Sequence, residues 1–168
     1  MAIGLLNGCP KLDKYWGVDI HTLSIQWCLR WITKFHPRFQ FCCVGFQNDR
    51  YCPRGTQLCP DLQLPFRDGL FDVIFLYSVF THMPGEHIEK YLSEIRRMLK
   101  PEGRAMFTVH IGPTEEADDQ SGDKLHKVTH TGDFLRNALA AVGLRAAKTW
   151  SCTGQELAGQ TAIVAERT

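Results

Sequence analysis

The chain has 168 residues, 44% hydrophobic and 22% charged, with a formal net charge of only +1. That length suffices for the core of one domain spanning 1–168, and the near-neutral balance leaves no electrostatic case for nucleic acid or an anionic membrane as partner. No apolar run reaches bilayer-spanning length and no basic region with a long apolar core opens the chain, so a cytoplasmic protein is expected.

Ala2–Leu6 is apolar, and Asn7-Gly8-Cys9-Pro10 would end a helix there. Tyr15–Asp19 (YWGVD) reads as a short strand. Thr22 is a candidate cap for the helix that follows. The spacing of Ile25, Cys28, Leu29, Ile32 and Phe35 predicts a core-facing stripe, with Trp27 and Trp31 packing on its flank rather than serving as a substrate platform. Phe39–Val44 reads as a buried strand, and Gly45–Asp61 as an irregular loop of the kind that is functional or mobile. The seven cysteines include the adjacent pair Cys42-Cys43 and no C-x-x-C. Reduced thiols are therefore expected rather than a disulfide framework, and no metal site.

Leu64–Ile111 organises the chain as one strand–helix–strand unit. Phe71–Tyr77 (FDVIFLY) has the near-continuous apolar character of a strand buried on both faces of a parallel sheet. Ile88, Tyr91, Leu92, Ile95, Met98 and Leu99 form one apolar stripe on a helix, with Glu89, Lys90, Glu94, Arg96, Arg97 and Lys100 mostly outside it. Pro101 and Gly103 would stop that helix and Arg104–Val109 would start the next strand. Ligands of open parallel sheets bind at the carboxyl ends of the strands, which places Ser78–Met83 and His110–Pro113 where chemistry would occur. Histidine titrates near neutral pH, so His82, then His110, are candidate general bases, with packed or exposed structural histidines as the plainer alternative.

Thr114–His130 is polar and reads as an exposed loop or lid. Thr131 would cap a helix with apolar positions Phe134, Leu135, Ala138, Leu139 and Val142, ended by Gly143. Leu144–Trp150 and Thr161–Glu166 are the last two strands, close enough to pair antiparallel. Strands alternating with helices predict an α/β fold with a terminal antiparallel hairpin. Asp19, at the end of its strand, could accept hydrogen bonds from two vicinal ribose hydroxyls or could simply cap the next helix.

LPFRDGLFDVIFLYSVFTHM followed by EIRRMLKPEGR resembles the class I S-adenosylmethionine-dependent methyltransferases, and the likeness extends over the whole chain. The resemblance implies a Rossmann-like sheet with a C-terminal antiparallel hairpin, S-adenosylmethionine as cofactor, and methyl transfer to an O or N nucleophile of a small-molecule or peptide-like substrate. It implies that Asp19 binds the ribose, that Ile20 packs on adenine, and that Tyr77 and Ser78 line the methionine part. Gly45 stands where many relatives carry an acidic residue that touches adenine, leaving that contact to backbone amides or the long loop.

The family's first strand and its D-x-G-x-G-x-G loop would precede Ala2, so the chain is expected to be an N-terminally truncated version. The strands ending at Asp19 and Tyr77 would then flank a gap of roughly 9–10 Å, two inter-strand spacings. Unpaired backbone groups on either side would need new partners, whether from direct pairing, another protein, or a second copy at the open edge, or the chain would stay loosely packed. Impaired methyl transfer by the short chain is expected. The alternatives are a methyltransferase-like domain that no longer catalyses and serves as a binding or scaffold module, and, less compatible with the LPF…FD and LKPEG run, a dehydrogenase-type nucleotide binder.

Overall fold

The computed structural model describes residues 2–46, 52–56, 63–114, 116–118, 127–153 and 159–168. They fall into two compact units, Met1–Leu58 and Cys59–Thr168, which are taken one at a time.

In the first unit α1 (Ala2–Gly8) stops at the expected breakers. β1 (Tyr15–Asp19) and β2 (Phe39–Cys43) pair in parallel, Tyr15 opposite Phe39 and Asp19 opposite Cys43. Between them α2 (Thr22–Cys28) runs directly into a π-helical turn over Leu29–Thr33. Ile25 and Ile32 are buried as the stripe predicted, but Leu29 and Phe35 are exposed. A π turn closes i→i+5 bonds and holds more residues than the 3.6 of an α turn, so side chains in and beyond it rotate off the face that a regular period assigns. Trp27 and Trp31 are each 51% exposed rather than packed, with the Arg30 guanidinium 5.3 Å from the centre of the Trp31 ring.

Thr22 does not cap its helix. The N-cap is His21, whose amide donates to Asp19 Oδ1 at 2.9 Å, and the Thr22 hydroxyl lies 3.5 Å from Cys43 Sγ instead. The aspartate two residues back captures the free amide and draws the helix start one residue earlier. Of the loop expected over Gly45–Asp61, a turn at 52–56 is described, held to the end of β2 by the Thr56 amide on Gly45 O (2.7 Å). Residues 47–51 and 57–61 lie outside the described residues.

In the second unit β3 (Phe71–Leu76), α3 (Gly85–Met98) and β4 (Leu99–Ile111) make the expected strand–helix–strand unit with parallel strands. The second strand begins at Leu99 rather than Arg104. Phe71 pairs with Leu99, the register then shifts, and Val73 pairs with Arg104, so Lys100–Gly103 is accommodated inside the strand as a bulge. Gly103 makes this possible: a Cβ there would stand 2.9 Å from the Phe71 carbonyl oxygen.

β3 is not buried on both faces. Val73 is 63% exposed, and among the described strands β3 pairs with β4 alone. β4 is flanked on its other side by β8 (Thr161–Arg167), which pairs antiparallel with both β4 and β7 (Leu144–Ser151), the expected terminal hairpin. Part of the polar 114–130 stretch is also strand rather than loop. β5 (Glu116–Asp118) pairs antiparallel with β6 (Lys127–His130), and β6 adds in parallel to the end of β4 through His110 and Ile111. The backbone groups of β4 extending beyond β3 supply the ladder that a periodicity argument cannot see.

α4 (Gly132–Ala141) starts as expected, Thr131 Oγ1 accepting from the Phe134 amide at 3.1 Å, and ends at Gly143. Its Leu135, Ala138 and Leu139 join Ile88, Leu92 and Ile95 of α3, Phe107 and Val109 of β4, Leu144 and Ile163 in one core, where each large side chain stabilises by about 1.5–3 kcal/mol. Glu94, expected outside the apolar stripe, is buried as well. Its carboxylate accepts from the Leu64 amide (2.6 Å) and from Arg97 Nε and Nη2 (2.7 and 2.8 Å), while Arg97 also donates to the carbonyls of Leu64 and Phe66 and to Asp68. This lock fastens the segment leading into β3 onto α3. No helix among the described residues is long and apolar enough to cross a membrane.

Candidate functional site

Each unit gathers part of the expected site at the carboxyl ends of its parallel strands. In the first, β1 ends at Asp19 and Ile20, and β2 leads into Gly45; the Val44 amide on Asp19 O (3.0 Å) joins the two ends. The Asp19 side chain is exposed. One carboxylate oxygen accepts from the amide of His21, the residue that precedes α2. That contact uses one of two oxygens, and a carboxylate has roughly four acceptor sites.

In the second unit, Tyr77 and Ser78 follow β3. Ser78 is the one described non-glycine residue with positive φ, 53°, a conformation costing of order 1–3 kcal/mol that persists where surrounding contacts over-determine it. Two contacts do so. Its amide donates to Thr108 Oγ1 of β4 at 2.8 Å, and its hydroxyl meets the Gln160 carboxamide, Nε2 donating at 3.0 Å and Oε1 accepting at 3.3 Å. Thr108 and Gln160 are both buried.

His110, also buried, is the penultimate residue of β4, which runs past the expected end at Val109 because β6 pairs with it there, and its Nδ1 lies 3.0 Å from the carbonyl of Gly159. A carbonyl only accepts, so Nδ1 carries the proton and Nε2 keeps its lone pair. Burial holds the pKa of His110 below the usual imidazole value; the Gly159 carbonyl pulls it up, and the Lys127 and His82 charges push it further down. The shift favours the neutral imidazole, the state a general base requires.

His82 lies in a 3-10 turn (Phe80–His82) and is exposed. Within the second unit the structure thus brings Tyr77, Ser78, His82 and His110 to one end of the sheet. It adds Thr108, Gly159, Gln160 and His130, none of which the sequence singled out. His130 is fully buried, its Nε2 3.0 Å from the Met83 carbonyl and its ring stacked on Phe134. Nothing local marks these residues: Gln160 meets a partner 82 positions away. A polar cavity of about 540 Å3, lined by Arg96, Arg104, Glu166 and Arg167 among others, lies at the opposite end of β4 from His110, away from this cluster.

The sequence matches the family described as "Methyltransferase domain" over residues 6–107. Among solved structures, the chain is similar to 1,6-didemethyltoxoflavin-N1-methyltransferase of Burkholderia thailandensis, crystallised with 1,6-didemethyltoxoflavin and S-adenosylhomocysteine (TM-score 0.62, 16% identity, 91% of this chain and 60% of that one). It is similar to geranyl diphosphate C-methyltransferase of Streptomyces coelicolor A3(2), crystallised with Mg2+, geranyl diphosphate and S-adenosylhomocysteine (TM-score 0.67, 12% identity, 98% and 66%). A third likeness is to an S-adenosylmethionine-dependent methyltransferase of Clostridium acetobutylicum (TM-score 0.62, 12% identity, 96% and 78%). These likenesses show a shared fold, the α/β Rossmann-like arrangement expected; the chain spans 60% of the length of the Burkholderia enzyme.

Proposed function

Because the chain belongs to the methyltransferase-domain family, we propose that it binds S-adenosylmethionine and transfers a methyl group to an O or N nucleophile of a small-molecule or peptide-like substrate. The observation that carries this reading is the cluster at the carboxyl ends of β3 and β4, where a strained Ser78 and a tautomer-fixed His110 sit within one hydrogen-bonded network. In this reading 1–168 acts as one methyltransferase-like domain of a cytoplasmic protein. The unengaged oxygen of Asp19 takes the ribose hydroxyls, Ile20 packs on adenine, the backbone at Gly45 completes the adenine contact, and Tyr77 and Ser78 line the methionine end.

When bound, S-adenosylmethionine supplies an electrophilic methyl group on its sulfonium. The chain's own part is to orient the nucleophile and, where that nucleophile is a hydroxyl or ammonium, to take its proton on His110 Nε2. His110 ranks ahead of His82 here because its tautomer is held and its charge is suppressed by burial, whereas His82 is exposed.

The test is an NMR titration with S-adenosylhomocysteine, which reads millimolar as well as micromolar affinity. Saturable binding is expected, with shifts at Asp19, Ile20, Tyr77 and Ser78. Asp19→Ala should weaken it about 10- to 100-fold, the range for hydrogen bonds to a charged acceptor. Unchanged affinity in a folded Asp19→Ala protein would remove the ribose role, and no saturable binding would overturn the reading.

A further inference from the structure

We propose that the Gly159-Gln160 turn at the start of β8 is a positioning device that sets both halves of the methyl-transfer site: its carbonyl holds His110 in the Nδ1–H tautomer, and its carboxamide holds Ser78 in the left-handed conformation. The inference rests on the function proposed above and adds two residues to it.

The geometry is specific. Gly159 has φ 77°, a left-handed conformation open to glycine without penalty, and its carbonyl lies 3.0 Å from His110 Nδ1. The next residue sends its side chain inward to the Ser78 hydroxyl. The Gln160 carbonyl accepts from the Cys152 amide at 2.9 Å, closing the hairpin behind it. The turn therefore touches the ends of two neighbouring parallel strands at once, Ser78 after β3 and His110 at the end of β4.

Ser78 needs such a restraint. Left to itself a serine leaves φ 53° for the right-handed or extended region. Thr108 Oγ1 fixes its amide, but only Gln160 among the described residues grips its hydroxyl. His110 needs one as well, because a free imidazole exchanges tautomers and presents its lone pair on Nε2 only part of the time. The charged and titratable groups acting on His110 are Lys127 of β6 and His82 of the 3-10 turn, with His130 next to Thr129, its partner in the ladder. The Gly159 carbonyl accepts the hydrogen bond from Nδ1.

Gln160 is thus a positioning residue acting through Ser78, and the test separates that from a general contribution to folding. Gln160→Met keeps the length and packing of the side chain and removes both hydrogen bonds; Gln160→Ala is the second variant if Met folds poorly. S-adenosylhomocysteine affinity is measured by NMR titration for wild type, Gln160→Met, Ser78→Ala and the double variant. Each single change is expected to weaken binding about 3- to 20-fold, and the double variant no more than the weaker single one, because both remove the same link. Losses that multiply, or a Gln160→Met affinity within twofold of wild type, would overturn the role.

The imidazole half is read without any ligand. The 15N shifts of His110 at pH 7.5 should show protonated Nδ1 in wild type and in Gln160→Met, which keeps the Gly159 carbonyl, and move toward a tautomer mixture in Gly159→Ala, where a side chain strains the φ of 77° that aims that carbonyl. A tautomer mixture in wild type, or a His110 unmoved in Gly159→Ala, would overturn the role of the carbonyl. If wild type binds no S-adenosylhomocysteine, the proposed function and the cofactor half of this inference fail together, and the imidazole spectra decide the other half alone.

Discussion

Turnover should fall roughly 10²–10⁴-fold in His110→Ala, the contribution of a positioned general base, while S-adenosylhomocysteine affinity stays near that of wild type. The measurement is release of S-adenosylhomocysteine with an acceptor drawn from a panel of alcohols, phenols and amines. His82→Ala should cost far less, since His82 is exposed in a 3-10 turn. A loss below threefold in His110→Ala would assign the rate to alignment of methyl and nucleophile alone.

The pH dependence has a definite sign. The base must be unprotonated, and burial, with Lys127 and His82, lowers the folded pKa of His110 below 6.5. Activity should therefore persist to lower pH than an ordinary imidazole base allows, and decline as pH falls through the lowered pKa. The same shift bears on stability. Above 6.5 neither state holds the proton; below it the unfolded chain binds it first, so the folded state loses its advantage as pH falls through the folded pKa. His110→Ala should flatten both slopes.

The largest expected loss of stability is that of Arg97→Ala. Glu94 is 8% exposed at its side chain and Arg97 20%. Burial alone would raise the Glu94 carboxyl; the hydrogen bonds and charge of Arg97, with the Leu64 amide, outweigh it and hold the pKa below 4.5. Glu94 and Asp68 in turn hold the guanidinium above its usual value. Removing one partner of a buried pair costs about 3–5 kcal/mol, because the other charge is left uncompensated. That is a large part of the 5–15 kcal/mol typical of a domain, and should lower Tm by about 10–15 °C.

Chemical denaturation of Arg97→Ala against Arg97→Lys checks it, lysine keeping the charge without the planar fork. The wild-type contribution of Glu94 is complete above pH 4.5, where the unfolded carboxylate is ionised, and vanishes as pH falls through the lower folded pKa. Arg97→Ala should abolish that acid limb. A change below 1 kcal/mol would mean that water replaces the guanidinium at little cost.

Which elements were legible in the sequence follows from what a local pattern can encode. β3, α3, α4 and its Thr131 cap, and the β7–β8 hairpin all declare themselves through period and end signals within a few residues. The same signals misplace the start of β4, because the bulge over Lys100–Gly103 is decided by where Phe71 sits on the neighbouring strand. They misplace Thr22 because an aspartate captures the amide first, and they leave Leu29 and Phe35 on a face that the π turn rotates away. β6 is polar enough to read as loop, and becomes a strand only because the end of β4 offers it a ladder.

The placement of Ser78, His82 and His110 at the carboxyl ends of strands was determined by the sequence alone, since a strand–helix–strand run dictates which ends face the ligand side; that His110 lies within β4, which continues to Ile111 where β6 pairs with it, was not. Their chemical states were not. Whether a histidine is neutral depends on the groups that bury it, and its tautomer on the carbonyl that meets Nδ1; for His110 that carbonyl lies 49 positions away. The left-handed Ser78, its grip by a glutamine 82 positions on, and the burial of Glu94 by Leu64 and Arg97 exist only once the strands are side by side. Local sequence sets propensity within a turn or two of chain; desolvation and long-range hydrogen bonds are properties of the packed structure, and they are what turn strand-end residues into a site.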